Sequence, residues 1–235
     1  YFAVGIDWMK PHWLAAEICG TAVSIRKLSH ISEINTHYLN ANAVLIDIPI
    51  GLPENRDEGD ARPDRQARAY LAAGRKPTIF PTPCRQAISI DVYTDASEVN
   101  KQVLGSALTS QSHGFARMIR QADDFLSDNA HWQNRLTESH PEIAFQILNN
   151  GIGLRHSKHT EEGIEERISI LRRHGVDPTP LFTEFTAKQY EDVLDAVCLA
   201  LSAKLGCENG FWAIPESPIC DSRGLKMQMV FGKNI

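Results

Sequence analysis

Tyr190-Glu191-Asp192-Val193-Leu194-Asp195-Ala196-Val197-Cys198-Leu199-Ala200-Leu201 is the most constraining segment of the chain. It is apolar nearly all the way round, and a helix of that kind is buried. Asp192 and Asp195 interrupt it at i and i+3, so both carboxylates lie on one face. Two like charges in an interior repel each other and cost desolvation unless a cation or strong donors lie between them. The stretch therefore reads as a core helix carrying part of a divalent-metal site. Thr186 is its expected N-cap and Gly206 its C-cap, giving a helix over 186–205.

The segments before it supply something for that helix to pack on. Phe2-Ala3-Val4-Gly5-Ile6-Asp7, Trp13–Cys19 and Ala22–Leu28 are short apolar runs separated by turn residues, and predict an antiparallel three-stranded meander. Ser32–Leu39 reads as a helix with Ser32 at its N-cap. Ala43-Val44-Leu45-Ile46-Asp47-Ile48-Pro49 is continuously apolar, as suits a central strand covered on both faces. From Glu54 to His131 the chain turns polar and Arg-rich. Helical pieces are expected there at Arg62–Leu71 and Gly114–Phe125, with a proline-rich loop at Thr78–Arg85. Arg135–His140 resumes the sheet, Pro141–Asn149 and Thr160–His174 are helices, and Phe211–Ile214 and Met227–Phe231 are expected as two edge strands. The expected organisation is one α/β domain over residues 1–235 with a helical insertion at 54–131.

Composition narrows the class. A chain of 235 residues can bury one sizeable core. It has no apolar run near the ~20 residues of a membrane helix, and no leader segment is legible. Five widely spaced cysteines without a Cys-x-x-Cys pair argue against a zinc site or a disulfide framework, and for a reducing, cytoplasmic setting. Cys198 is expected to serve as packing. A net charge of −5 is unusual for a nucleic-acid binder, but basic residues gather between Arg56 and Arg85.

The acids carry the chemistry. Asp7 follows the first strand, Asp47 lies near the end of the central one, and Asp192 and Asp195 sit on the last long helix. In α/β sheets, sites form at the carboxyl ends of strands. Mg²⁺ and Mn²⁺ take oxygen ligands and leave part of their shell to water and phosphate. One or two such ions can activate a water for phosphodiester cleavage.

Four motifs together resemble a known family. They are Val4-Gly5-Ile6-Asp7, Val44-Leu45-Ile46-Asp47-Ile48-Pro49-Ile50-Gly51-Leu52-Pro53, Glu138-Ser139-His140-Pro141-Glu142-Ile143-Ala144-Phe145 and Glu191-Asp192-Val193-Leu194-Asp195-Ala196. In this order, from Val4 to about Leu205, the chain resembles the predicted RNase H-like nucleases. The resemblance implies a ribonuclease H-like mixed sheet, three antiparallel strands then parallel strands, flanked by helices. It also implies a similarity to RuvC-type Holliday-junction resolvases. It places metal ligands at Asp7, Asp47, Asp192 and Asp195. RuvC-type enzymes usually carry Glu where this chain has Asp47, whose side chain is one bond shorter. Such resolvases act as dimers, so a homo-oligomer is expected only by that analogy.

Further candidates follow from position. Glu138 and His140 alternate with Ser139, share one side of a strand, and suit an extra metal ligand or a general acid or base. Glu142, behind Pro141, reads as a stabiliser of the helix N-terminus. Arg65, Arg68, Arg85 and Lys158 are candidate phosphate contacts. The function these residues suggest is Mg²⁺- or Mn²⁺-dependent hydrolysis of nucleic acid, with DNA and RNA not distinguished. Two alternatives share the acids. One is an actin-like nucleotide-dependent phosphotransferase or ATPase, for which Asn150-Gly151-Ile152-Gly153 is a weak phosphate loop. The other is a non-catalytic protein clasped by a metal ion.

Overall fold

A computed structural model describes residues 1–72 and 74–234. Along the chain run β1 (Phe2–Met9), β2 (His12–Cys19), β3 (Ala22–Leu28), α1 (Ile34–His37) and β4 (Ala43–Ile46). Five helices follow: α2 (Arg56–Ala61), α3 (Asp64–Tyr70), α4 (Tyr93–Leu104), α5 (Ser110–Gly114) and α6 (Ala116–Asp128). The rest is β5 (Leu136–Glu138), α7 (Pro141–Leu148), α8 (Glu161–Arg173), α9 (Tyr190–Asn209), β6 (Phe211–Ile214) and β7 (Met229–Gly232). Among the described residues no helix is long and apolar enough to cross a membrane. The chain divides into two compact units.

The first unit comprises Tyr1–Asp47, Arg135–Trp212 and Val230–Ile235. It holds a mixed five-stranded sheet in the order β3-β2-β1-β4-β5, flanked by helices. β1, β2 and β3 form the expected antiparallel meander, and β4 and β5 run parallel to β1. The apolar run of β4 is buried along its whole length, as its continuous pattern requires. The last long helix, α9, is buried without interruption from Val193 to Ala203. It crosses β1 at Gly5, where a Cβ would stand 2.1 Å from the Ala200 nitrogen and 2.2 Å from the Ala196 oxygen. Only glycine lets helix backbone and strand backbone approach that closely.

Several boundaries differ from the sequence expectation, each for a local reason. Thr186 does cap, but through a 3₁₀ turn, Ala187–Gln189, in which Gln189 reciprocates. The helix continues past Gly206 to Asn209 and reverses at Gly210, whose φ is +89°. Gly206 is internal because the Phe211 ring occupies the place of its Cβ. Before α1, the N-cap is His30 rather than Ser32: its ring accepts from the Ser32 nitrogen, and Glu33 accepts from the His30 nitrogen at 3.0 Å. β6 and β7 pair with each other instead of extending the main sheet. The Gly210 turn sends the chain back, and Gly232 lies against α9, its nitrogen donating to Ser202 Oγ at 2.9 Å.

The second unit comprises Ile48–Asn134 and Ala213–Met229 and contains α2 to α6. Arg62 ends α2 and is followed by Pro63, so the second helix starts at Asp64, not Arg62. The stretch expected as one helix from Gly114 to Phe125 is two, broken at Phe115 and continuing to Asp128. Arg62 donates to the carbonyls of Ile50 and Gly51 and pairs with Asp64. Arg85 is held by Glu54, Asp123 and Asp221, so a single guanidinium ties three distant segments of this unit together.

Candidate functional site

Parallel pairing puts Ile6 of β1 opposite Ile46 of β4, and Ile46 opposite Glu138 of β5. The next residues are Asp7, Asp47 and Ser139. The Asp47 nitrogen donates to the Ile6 carbonyl at 2.9 Å, and the Ser139 nitrogen to the Ile46 carbonyl at 2.8 Å. Asp7 lies inside β1, which runs on to Met9, rather than after the strand as expected. Alternation along β1 places Asp7 on the face of Gly5, the face that α9 covers. Asp195 and Asp192 ride on α9 in the turns before Ala196. The sheet's central strands and this helix therefore bring four acids from three elements to one place.

Burial and mutual repulsion shape their protonation. Asp195 is 3% exposed and Asp7 8%, while Asp47 and Asp192 are half-buried. Burial pushes the Asp7 carboxyl well above the usual range, and Asp47, Asp195 and Asp192 push it further. Burial, then Asp195, then Glu142 raise Asp47 to about 7. Asp192 is raised to about 7 by burial, Glu191 and Asp195. Asp195 Oδ1 is buried with no hydrogen-bond partner. Buried carboxylates of this kind keep a proton or pair with a cation.

Lys158 faces all four. Its Nζ donates to Asp195 Oδ2 at 2.9 Å, and its charge lowers Asp7, Asp47 and Asp192. The neighbouring acids, Asp195 first, hold the Lys158 ammonium well above its ordinary pKa. His159 pairs with Glu191 at 2.6 Å. Among the described residues, no three or more His, Cys, Asp or Glu side chains are grouped so as to hold a metal ion as they stand. The donor type is carboxylate oxygen throughout, the kind a hard divalent cation takes, and Asp195 Oδ1 is unused.

The remaining candidates are distributed differently. Glu138 is in register with Ile46 and Ile6, so alternation turns it to the opposite side of the sheet from Asp7. His140 is the N-cap residue of α7, beyond the end of β5. Arg65, Arg68 and Arg85 belong to the second unit. Arg65 is exposed, Arg68 donates to the Ile79 carbonyl at 2.9 Å, and Arg85 is engaged by its three carboxylates rather than presented to a ligand. Asn150 and Gly151 close the C-terminal end of α7, their amides returning to Ile147 and Gln146.

Three residues outside the expected set belong with the acids. Glu142 acts on Asp47 and pairs with Arg167, a guanidinium with no exposure at all, at 2.5 Å. Arg167 also donates to the Gly163 carbonyl and lies over the Phe145 ring, 5.4 Å from its centroid. Ser139, not Glu138 or His140, shares the row of Asp7 and Asp47, and its Oγ is buried without a hydrogen-bond partner. The alternation used for Glu138 and His140 contained the Ser139 signal. Nothing in the spacing revealed Arg167.

The family described as protein of unknown function (DUF429) matches residues 5–218, which takes in nearly all of the five-stranded sheet, Asp7, Asp47, Asp192, Asp195 and α9. The chain belongs to the DUF429 family. The match starts at Gly5, where α9 meets β1, and includes Lys158 and Glu142 beside the four aspartates. No curated protein and no solved structure matches the chain.

Proposed function

We propose that this DUF429 chain is a divalent-metal-dependent hydrolase of nucleic-acid phosphodiester bonds, built on a ribonuclease H-like fold. The observation that carries the reading is the gathering of Asp7, Asp47, Asp192 and Asp195, with Asp195 Oδ1 buried and unpaired. The sheet order, three antiparallel strands followed by two parallel ones, supports the fold assignment. Asp7, Asp47 and Asp195 would hold Mg²⁺ or Mn²⁺, with Asp192 at the more open side. When bound, such an ion makes water a stronger acid and draws charge from a phosphoryl oxygen. The chain's own residues do the rest. Lys158 offers an ammonium to a phosphate. The Glu142–Arg167 pair fixes the start of α7 behind Asp47. The close approach at Gly5 sets where α9 carries its acids.

The test is a panel of single-stranded, branched and RNA–DNA hybrid substrates with Mg²⁺ or Mn²⁺, run beside Asp7→Asn. Cleavage by the unsubstituted chain, lost in Asp7→Asn with its circular dichroism unchanged, is the expected result. Cleavage that survives Asp7→Asn, or no cleavage of any substrate, contradicts the assignment.

A further inference from the structure

Lys158 lies on the connection between α7 and α8. Two consecutive side chains of that connection clip onto α9, Lys158 to Asp195 at 2.9 Å and His159 to Glu191 at 2.6 Å. Glu191 and Asp195 are four apart and share a helix face. The backbone beneath is fixed. Thr160 caps α8 through the Gly163 nitrogen at 3.2 Å, and a Cβ on Gly163 would stand 1.8 Å from the Ser157 oxygen. The Lys158 side chain is another matter. It is 27% exposed, on a flexible four-carbon stem. It borders a pocket of about 660 Å³ lined also by Thr160, Ile164, Lys188 and Tyr190.

One ammonium does not satisfy this site. It engages Asp195 Oδ2 and leaves Oδ1 without a partner. An ammonium and a divalent cation repel at such short range, and both would draw on the same carboxylate. Resting on the cation-site reading above, we propose that Lys158 is a resident stand-in cation. Its ammonium holds Asp195 while the site is metal-free, gives Asp195 up when a divalent cation binds, and is then free to pair with a phosphate of the substrate. Exchange between the two cations is reciprocal: whatever Lys158 contributes to the metal-free state, it subtracts from metal affinity.

The test uses the full chain and Mn²⁺ alone, followed by electron paramagnetic resonance of the free ion. Lys158→Met keeps the stem and removes the charge. It should bind Mn²⁺ roughly tenfold tighter or more than the unsubstituted chain, and its melting temperature should gain more from Mn²⁺. A second measurement needs no variant. Acylation of Lys158 by an N-hydroxysuccinimide ester, read by mass spectrometry, should speed up when Mn²⁺ is added, relative to Lys101. Equal or weaker Mn²⁺ binding by Lys158→Met, or acylation of Lys158 indifferent to Mn²⁺, overturns the stand-in role and leaves the cation site standing. Failure of both proteins to bind Mn²⁺ overturns the cation site, and this inference falls with it.

Discussion

Gly5→Ala tests whether the contact between β1 and α9 sets the site. The new Cβ would meet the Ala200 nitrogen at 2.1 Å, the Ala196 oxygen at 2.2 Å and the Leu199 carbonyl carbon at 2.6 Å. All three are helix backbone, so no side chain can rotate away. Ordinary contact lies near 3.5 Å, and α9 must retreat by about 1.4 Å to restore it. Overpacking of this kind costs about 1–3 kcal/mol, and rigid backbone neighbours place it at the upper end. Replacing glycine also stiffens the unfolded chain, which offsets about 0.4–1 kcal/mol. A net loss of about 2 kcal/mol corresponds to a fall of about 4–8 °C in melting temperature. The same retreat carries Asp192 and Asp195 away from Asp7 and Asp47, and misplacement by about 1 Å is enough to spoil a constellation of ligands. Mn²⁺ affinity should drop roughly tenfold or more. Urea denaturation and Mn²⁺ titration of the full chain measure both effects. Gly114→Ala, whose Cβ would meet nothing within 4 Å, is the control. Unchanged stability together with unchanged Mn²⁺ affinity in Gly5→Ala would mean that this contact does not position the acids.

Three further outcomes follow from the electrostatics. Asp47 and Asp192 are raised from 3.8 to about 7, so the folded chain keeps protons that the unfolded chain has released. Without divalent metal, their contribution makes stability fall as pH rises between about 4 and about 7; Asp47→Asn should flatten that slope in chelator-treated protein and raise the melting temperature at pH 8. Arg167→Met strands Glu142 in the interior and should cost about 3–5 kcal/mol by urea denaturation, with Glu142→Gln in the same chain recovering part of the loss. Arg85→Met should destabilise by a similar amount, and Arg85→Lys should recover little, since an ammonium lacks the fork that reaches Glu54, Asp123 and Asp221 together.

What the sequence makes legible depends on how local the signal is. The meander, the continuous run of β4 and the apolar helix carrying Asp192 and Asp195 are written in short windows, and the structure forms each of them. Helix ends were less legible, because Gly206 reads as a terminator until the Phe211 ring is seen on it. The acids could be grouped because Asp7 and Asp47 each follow an apolar run and Asp192 and Asp195 interrupt a core helix, even though Asp7 proves to lie inside its strand. Lys158 looks like a solvated loop lysine, and only the return of the α7–α8 connection to α9 places it beside Asp195. Arg167 sits in an amphipathic helix among glutamates, and its complete burial depends on Glu142 arriving from α7. Arg85 reads as a free cation until Asp123 and Asp221, from distant segments, close around it.

Calorimetric titration of Mg²⁺ and Mn²⁺ into the full chain, and into Asp7→Asn and Asp195→Asn, asks whether the four acids form a cation site. The unsubstituted chain should bind saturably, and each variant should stay folded and lose roughly tenfold or more in affinity. No heat of binding in the unsubstituted chain, or equal binding by all three proteins, would mean that they do not.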